Sequence, residues 1–245
     1  MPATSPRSRP LVVAIDGPSG SGKSSVSREV ARRLGLEYLD TGAMFRAVCW
    51  SCLETGIALD DQAAVAEHAR AMPLSVGTDP EAPTVRVGQR DVTGAIRAGE
   101  ISAAVSQVAM NQQVRAELRG QQREIIARAC EGPHGGCVAE GRDITTVVAP
   151  HADVRLLLTA SESARLHRRA KELHGSADAV ALAATHDQVV RRDADDSTVS
   201  SFLSAADGVV ELDSSGLSFG EAVTAVLDLV AARVGDFEQV AAVRR

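Results

Sequence analysis

The sequence predicts an α/β protein built around a parallel sheet. Short apolar runs such as Leu11–Ile15, Cys137–Ala139 and Val154–Leu158 read as strands buried on both faces. They alternate with longer segments of helical spacing. A chain of 245 residues, 44% hydrophobic and 24% charged, can bury such a core without disulfides or metals. The same runs fall far short of the ~18 residues that a membrane-spanning helix needs, so no membrane association is expected.

Taken in order, Met1–Pro10 is rich in Pro, Ser and Arg and reads as a disordered tail. The five apolar residues after it are too few for a signal-peptide core. Leu11–Ile15 is a strand bounded by Pro10 and Asp16-Gly17-Pro18. Gly17–Gly22 is a turn, and Lys23–Leu34 a helix whose apolar stripe is Val26, Val30, Ala31 and Leu34. Gly35 suits the exit of that helix, and Leu36–Leu39 is a second strand. Ala43–Leu53 and Gln62–Ala71 have helical spacing. Leu74–Val76, Thr84–Val87 and Arg90–Val92 form a group of small strands inside an insertion. Ile101–Ala129 reads as one long helical stretch bent near Gly120. Beyond the strands at 137–139 and 154–158 come helices over Ser161–His174 and Ala177–Arg192, a strand over Val209–Leu212, and a closing helix over Phe219–Val234. There is no internal repeat.

Lys plus Arg number 26 against 32 for Asp plus Glu, a net charge of −6, which argues against a nucleic-acid partner. The six aromatic residues are too few for a base-stacking platform. Cys49-Trp50-Ser51-Cys52 has C-x-x-C spacing. No second pair or His cluster completes a zinc site, and no thioredoxin-like unit surrounds it. With Cys130 and Cys137 these read as reduced packing thiols, which implies a cytoplasmic compartment. His68, His134, His151, His167, His174 and His186 form no metal or triad pattern.

The segment Gly17-Pro18-Ser19-Gly20-Ser21-Gly22-Lys23-Ser24 matches G-x-x-x-x-G-K-[ST] at every fixed position. Glycines let successive backbone N–H groups turn inward onto phosphate oxygens. The following helix contributes its positive end. Lys23 is placed for the β- and γ-phosphates and the Ser24 hydroxyl for Mg²⁺. The spacing Gly17, Gly20, Gly22 fails the dinucleotide pattern, which discounts Asp40 as a ribose-binding acid. GTPase and transporter-ATPase signatures are absent. Arginines in loops after strands, Arg46, Arg142, Arg165, Arg168, Arg169 and Arg192, suit a second, phosphorylated substrate. Asp16 reads either as reaching the metal and attacking-group region or as a strand terminator.

Five further motifs occur in order. They are Asp40-Thr41-Gly42-Ala43-Met44-Phe45-Arg46; Ser106-Gln107-Val108-Ala109 with Arg115; Gly141-Arg142-Asp143 followed by Thr146-Val147-Val148 and Pro150; Arg192-Asp193 with Asp195, Asp196 and Ser197; and Ala206-Asp207-Gly208 with Asp213-Ser214-Ser215. Together with the phosphate loop these resemble the bacterial cytidylate kinase family, from about Leu11 to Val230. Three positions depart from its pattern. Thr145 replaces a Gly, Phe45 replaces a Tyr, and Val199 stands in a shortened segment where many members have an Arg.

The resemblance implies a phosphate-loop NTPase three-layer fold in a single domain over 11–245. Its core would be 11–40, 111–160 and 193–234, with an acceptor-binding insertion at 41–110 and a short lid at 161–192. It implies ATP as co-substrate with Mg²⁺, CMP or dCMP as acceptor, and a monomer. Gly17, Pro18, Ser19, Gly20, Ser21, Gly22, Lys23, Ser24 and Ser25 would bind ATP. Arg46, Arg142 and Arg192 would grip the acceptor phosphate. Ser106, Arg115 and Asp143 would read cytosine, Thr41 would assist, and Asp196 would meet the ribose. Lys23, Arg165, Arg168 and Arg169 would stabilise the transferring phosphoryl. The alternatives are a kinase for another small acceptor such as shikimate and a nucleotide sensor without turnover.

Overall fold

A computed structural model describes residues 9–198, 200 and 202–234; the side chains of 172–174, 187–192, 195 and 196 are outside that description. The chain opens with β1 (Leu11–Asp16), the phosphate-loop turn and α1 (Lys23–Leu34). Gly22 starts α1 and Gly35 ends it, both with left-handed backbone that suits glycine. Then come β2 (Glu37–Asp40) and α2 (Thr41–Glu54), whose N-terminus is capped by Asp40 accepting from the Ala43 N–H at 2.8 Å. α3 (Gln62–Ala71) is capped the same way by Asp61. β3 (Leu74–Gly77), β4 (Thr84–Val87) and β5 (Arg90–Asp91) form a separate antiparallel sheet.

α4 (Gly99–Ala109) and α5 (Gln112–Glu131) replace the single bent helix expected over 101–129. The break falls at Asn111, not at Gly120, which lies inside α5. Asn111 is buried. Its side-chain oxygen accepts from the Gln113 and Val114 N–H groups, and its amide donates to the Gln62 carbonyl at 2.7 Å. It therefore starts a new helix and ties it to α3, while a glycine with open space around it costs only helix propensity.

β6 (Gly136–Gly141), β7 (Val154–Thr159), α6 (Glu162–His174), α7 (Ala179–Ser197), β8 (Val210–Asp213) and α8 (Phe219–Val234) complete the fold. The main sheet has the order β2-β6-β1-β7-β8 and is parallel throughout. One face packs on α2, α3, α4 and α5 through Met44, Val48, Val105, Val114 and Leu118. The other packs on α1 and α8 through Val26, Val30, Leu34, Val223 and Val226. Helices on both faces account for the unbroken apolar strands. α7 runs through the boundary drawn at 192 and ends at Ser197. Arg9, assigned above to the tail, donates to Asp153.

No helix among the described residues is long and apolar enough to cross a membrane.

Gly136 holds a positive φ of 148° where β6 begins beside β1, and a methyl group there would overlap the Leu11 carbonyl. Gly136→Ala is expected to destabilise the fold by about 1–3 kcal/mol, read as a lowered midpoint of urea unfolding. An unchanged midpoint would show that this crossing tolerates a side chain.

Candidate active site

β1, β2 and β6 are parallel neighbours, so their carboxyl ends meet at one edge, where ligands of open α/β sheets bind. The phosphate loop leaves β1 at that edge. Gly17 packs so tightly under the Leu158 carbonyl that no side chain fits, and Gly20 and Gly22 take φ of 76° and 87°. Two cavities flank the loop. One, of about 610 Å³, is lined by Lys23, Ser24, Asp40, Thr41, Phe45, Arg46, Arg115, Glu140, Arg142 and Asp143. The other, of about 770 Å³, is lined by Gly20, Ser21, Gly22, Ser25, Arg168, Ser214 and Phe219.

Most of the residues singled out in the sequence come together here. In the first cavity Arg46 donates to Asp40 at 2.8 Å. The Thr41 hydroxyl donates to the Glu140 carbonyl at 2.8 Å, at the start of α2. Arg115, almost wholly buried, donates to Asp143 at 2.7 Å and to the Ala109 carbonyl at 3.0 Å, and lies 5.9 Å from the Phe45 ring. Ser106 is buried on α4, between the lining residues Val105 and Ala109. Arg142 donates to the Gly17 carbonyl, reaches Asp193 at 3.5 Å and stacks 4.5 Å from the Phe202 ring.

The arginines expected in the lid separate. Arg165 donates to Asp193 and to the Ser19 carbonyl, beside the loop. Arg168 donates to the Ser21 carbonyl, to Ser214 Oγ and to the Ser214 carbonyl, on the side of the second cavity. Arg169 is half-buried on α6 and lines neither cavity. Arg192 and Asp196 sit on α7 with their side chains outside the described residues, as is all of Val199.

Asp16 has a structural job. Its carboxylate accepts from the Ile144 and Thr145 N–H groups, both at 2.9 Å, and from the Thr145 hydroxyl at 2.6 Å, holding one turn of π-helix at Ile144–Val148. Burial raises the Asp16 carboxyl, and these three hydrogen bonds oppose the rise. Thr145 thus adds a hydroxyl contact that glycine would lack. Cys49 and Cys52 are buried in the core beside α3, and burial pushes their thiols up to about 12 and about 11. They stay protonated and do not act as nucleophiles.

The residues 13–232 match the model of the family described as Cytidylate kinase. The chain belongs to the cytidylate kinase family. It is 44% identical to Cytidylate kinase of Streptomyces griseus over 90% of this chain and 92% of that one. It is 46% identical to Cytidylate kinase of Cutibacterium acnes, over 90% and 96% respectively. Bifunctional pantoate ligase/cytidylate kinase of Synechococcus is 46% identical over 92% of this chain and 46% of its own length.

In this kinase two residues of the site, Glu140 and Arg119, were not singled out in the sequence, and two others, Asp40 and Asp193, stood in its motifs without an assigned role. Asp40 was discounted with the dinucleotide pattern; here it caps α2 and pairs with Arg46. Burial raises Asp40's pKa, but Arg46, the Ala43 N–H, Arg97 and Lys23 outweigh it and hold the carboxyl below its usual range. Asp193, buried on α7, accepts from the Ser19 N–H at 3.0 Å as well as from the two arginines. Glu140 is the penultimate residue of β6, beside the loop. It accepts from Ser24 Oγ at 2.6 Å, and its other oxygen lies 3.9 Å from Lys23 Nζ. Its signal was a carboxylate at the end of an apolar strand, immediately before Gly141-Arg142-Asp143. A serine hydroxyl against a buried carboxylate is a hard-oxygen setting that fits Mg²⁺ completed by phosphates and water. Among the described residues no group of three His, Cys, Asp or Glu forms a protein-only metal cage.

Burial, reinforced by the nearby Asp40 charge, raises the Glu140 carboxyl. An acid whose pKa is higher in the folded state stabilises the fold less once pH rises through that pKa. Glu140→Gln is therefore expected to raise Tm at pH 8, with the gain shrinking as pH falls towards 4.5, while turnover drops ~100-fold. Thermal melts at several pH values, with the assay run alongside, check both halves. A lower Tm at pH 8 would show that the pairing with Lys23 outweighs burial.

Proposed function

We propose that the protein transfers the γ-phosphoryl group of ATP to CMP or dCMP, giving ADP with CDP or dCDP. The observation that carries this reading is Asp143, anchored by Arg115 in the cavity that also holds Lys23, Arg46 and Arg142. A carboxylate accepts from the N4 amino group of cytosine, whereas uracil offers another acceptor at that position. The three cations lining the same cavity suit a phosphate.

Phosphoryl transfer is governed by alignment and charge neutralisation more than by covalent help from the protein. Loop N–H groups and Lys23 hold the ATP phosphates. Ser24, with Glu140 behind it, would hold a magnesium ion, which would supply charge neutralisation to the phosphates. The base of ATP occupies the second cavity, against Arg168 and Phe219. Arg46 and Arg142, joined by Arg192, orient the acceptor phosphate; Asp196 meets the ribose, and Ser106 assists with the base. An acceptor-phosphate oxygen then attacks the γ-phosphorus in line as the bond to the ADP oxygen breaks. Arg165, beside the loop, stabilises the charge on the moving group. A shikimate-type acceptor would leave Asp143 without an amino partner. No nucleic acid is involved, and the reaction suits a cytoplasmic monomer.

Lys23→Ala is expected to lower turnover ~100-fold or more while the fold survives. Near-normal activity in a folded variant would remove the phosphate loop from the reaction. Across acceptors, ADP release should give kcat/KM highest for CMP and dCMP, clearly lower for UMP, and negligible for AMP and GMP. A preference for UMP or AMP would overturn the assignment.

A further inference from the structure

Asp143 is held more firmly than the transfer chemistry requires. Its Oδ2 accepts three N–H groups: Arg115 Nη2 at 2.7 Å, Arg119 Nη2 at 2.7 Å and Arg119 Nε at 3.1 Å. Its Oδ1 has no hydrogen-bond partner among the described residues, although Asp143 lines the acceptor cavity. Arg119 follows Arg115 by one turn of α5, so both guanidinium groups rise from one helix face. Arg119 itself does not line the cavity, and its side chain keeps 23% of its exposure.

The terminal torsion of an aspartate is soft, and a carboxylate held by one donor can rotate its free oxygen away from a partner. Two arginines on the same oxygen remove that freedom, because the rotation would break three charge-assisted bonds at once. We infer that Arg119 is a positioning residue for base selection: with Arg115 it ties down Oδ2 of Asp143, so that Oδ1 faces the acceptor base as a fixed hydrogen-bond acceptor. Such an atom takes an exocyclic amino group and turns away a carbonyl oxygen. The inference rests on the cytidine-nucleotide reading above and assigns its pyrimidine discrimination to a residue that touches no substrate.

Steady-state kinetics of the wild type, Arg119→Leu and Arg119→Lys with CMP and UMP test it. Arg119→Leu is expected to raise KM for CMP ~10-fold with kcat within ~2-fold, and to cut the CMP-over-UMP ratio of kcat/KM ~10-fold. KM for ATP should not change. Arg119→Lys, which restores the charge with a single donor head, should recover part of the ratio. A wild type that fails on CMP would overturn the function itself. If the wild type prefers CMP and Arg119→Leu keeps that preference within ~2-fold, or loses activity equally on both acceptors, this inference alone falls.

Discussion

The parallel pairing of β1 with β6 is the constraint on which the site depends. Their register sets Ile15 opposite Glu140 and Asp16 opposite Gly141. The phosphate loop therefore leaves one strand where the segment Glu140–Asp143 leaves its neighbour. Asp16 locks the arrangement by bonding across to Ile144 and Thr145. Gly141 permits it, because a side chain there would meet Thr41 Oγ1 and Ile144. β2, paired on the far side of β6, brings Asp40 and the start of α2 to the same edge. Thus the donor loop, the acceptor wall and the buried acid between them follow from one strand pairing, and no separate device is needed to bring them together.

A site for two polyanions has to carry cations, and cations crowded into a half-buried cleft repel one another. This chain couples each to an acid: Arg46 to Asp40, Lys23 to Glu140, Arg115 to Asp143, and Arg142 and Arg165 to Asp193. Buried pairs add little net stability, since desolvation offsets the attraction; deleting one partner of a close pair strands the other, whereas Glu140, 3.9 Å from Lys23, bears a burial cost that the pairing does not offset. Their return here is orientation. Asp193 goes further, because it also takes the Ser19 N–H, a group that the loop turns towards anions. Its carboxylate is thus held by the kind of donors that bind phosphate. A phosphate, with more charge and more oxygens, competes for those donors at an advantage.

The sequence was most legible where local chemistry decides. The helices at 23–34, 62–71 and 219–234 lie where their periodicity and flanking residues put them. The misplaced break shows the limit. Gly120 is a strong local signal, but Asn111 wins because its side chain caps one helix and binds the Gln62 carbonyl on another, 49 positions away. Site residues divide in the same way. Lys23, Ser24, Arg46, Arg142 and Asp143 belong to contiguous motifs. Glu140 and Arg119 stand outside those motifs, and Asp193 stands in one only as the neighbour of Arg192; the three bond to residues more than a hundred, about two dozen and more than a hundred and seventy positions away, respectively. The pairings of Glu140 and Asp193 are legible only once the strands are ordered.

The boundary at 192 that the sequence suggests between lid and core is crossed by one helix. α7 packs against α6, which carries Arg165 and Arg168, and against α4, which carries Ser106 and two residues of the acceptor wall. Near its end Asp193 binds the phosphate loop and both Arg142 and Arg165. A rigid helix transmits displacement along its length, because packed elements shift as units rather than deforming residue by residue. Water is excluded from a transfer site only when both sides close. α7 touches both sides of the cleft, and its Asp193 carboxylate joins the phosphate loop to Arg142 and Arg165.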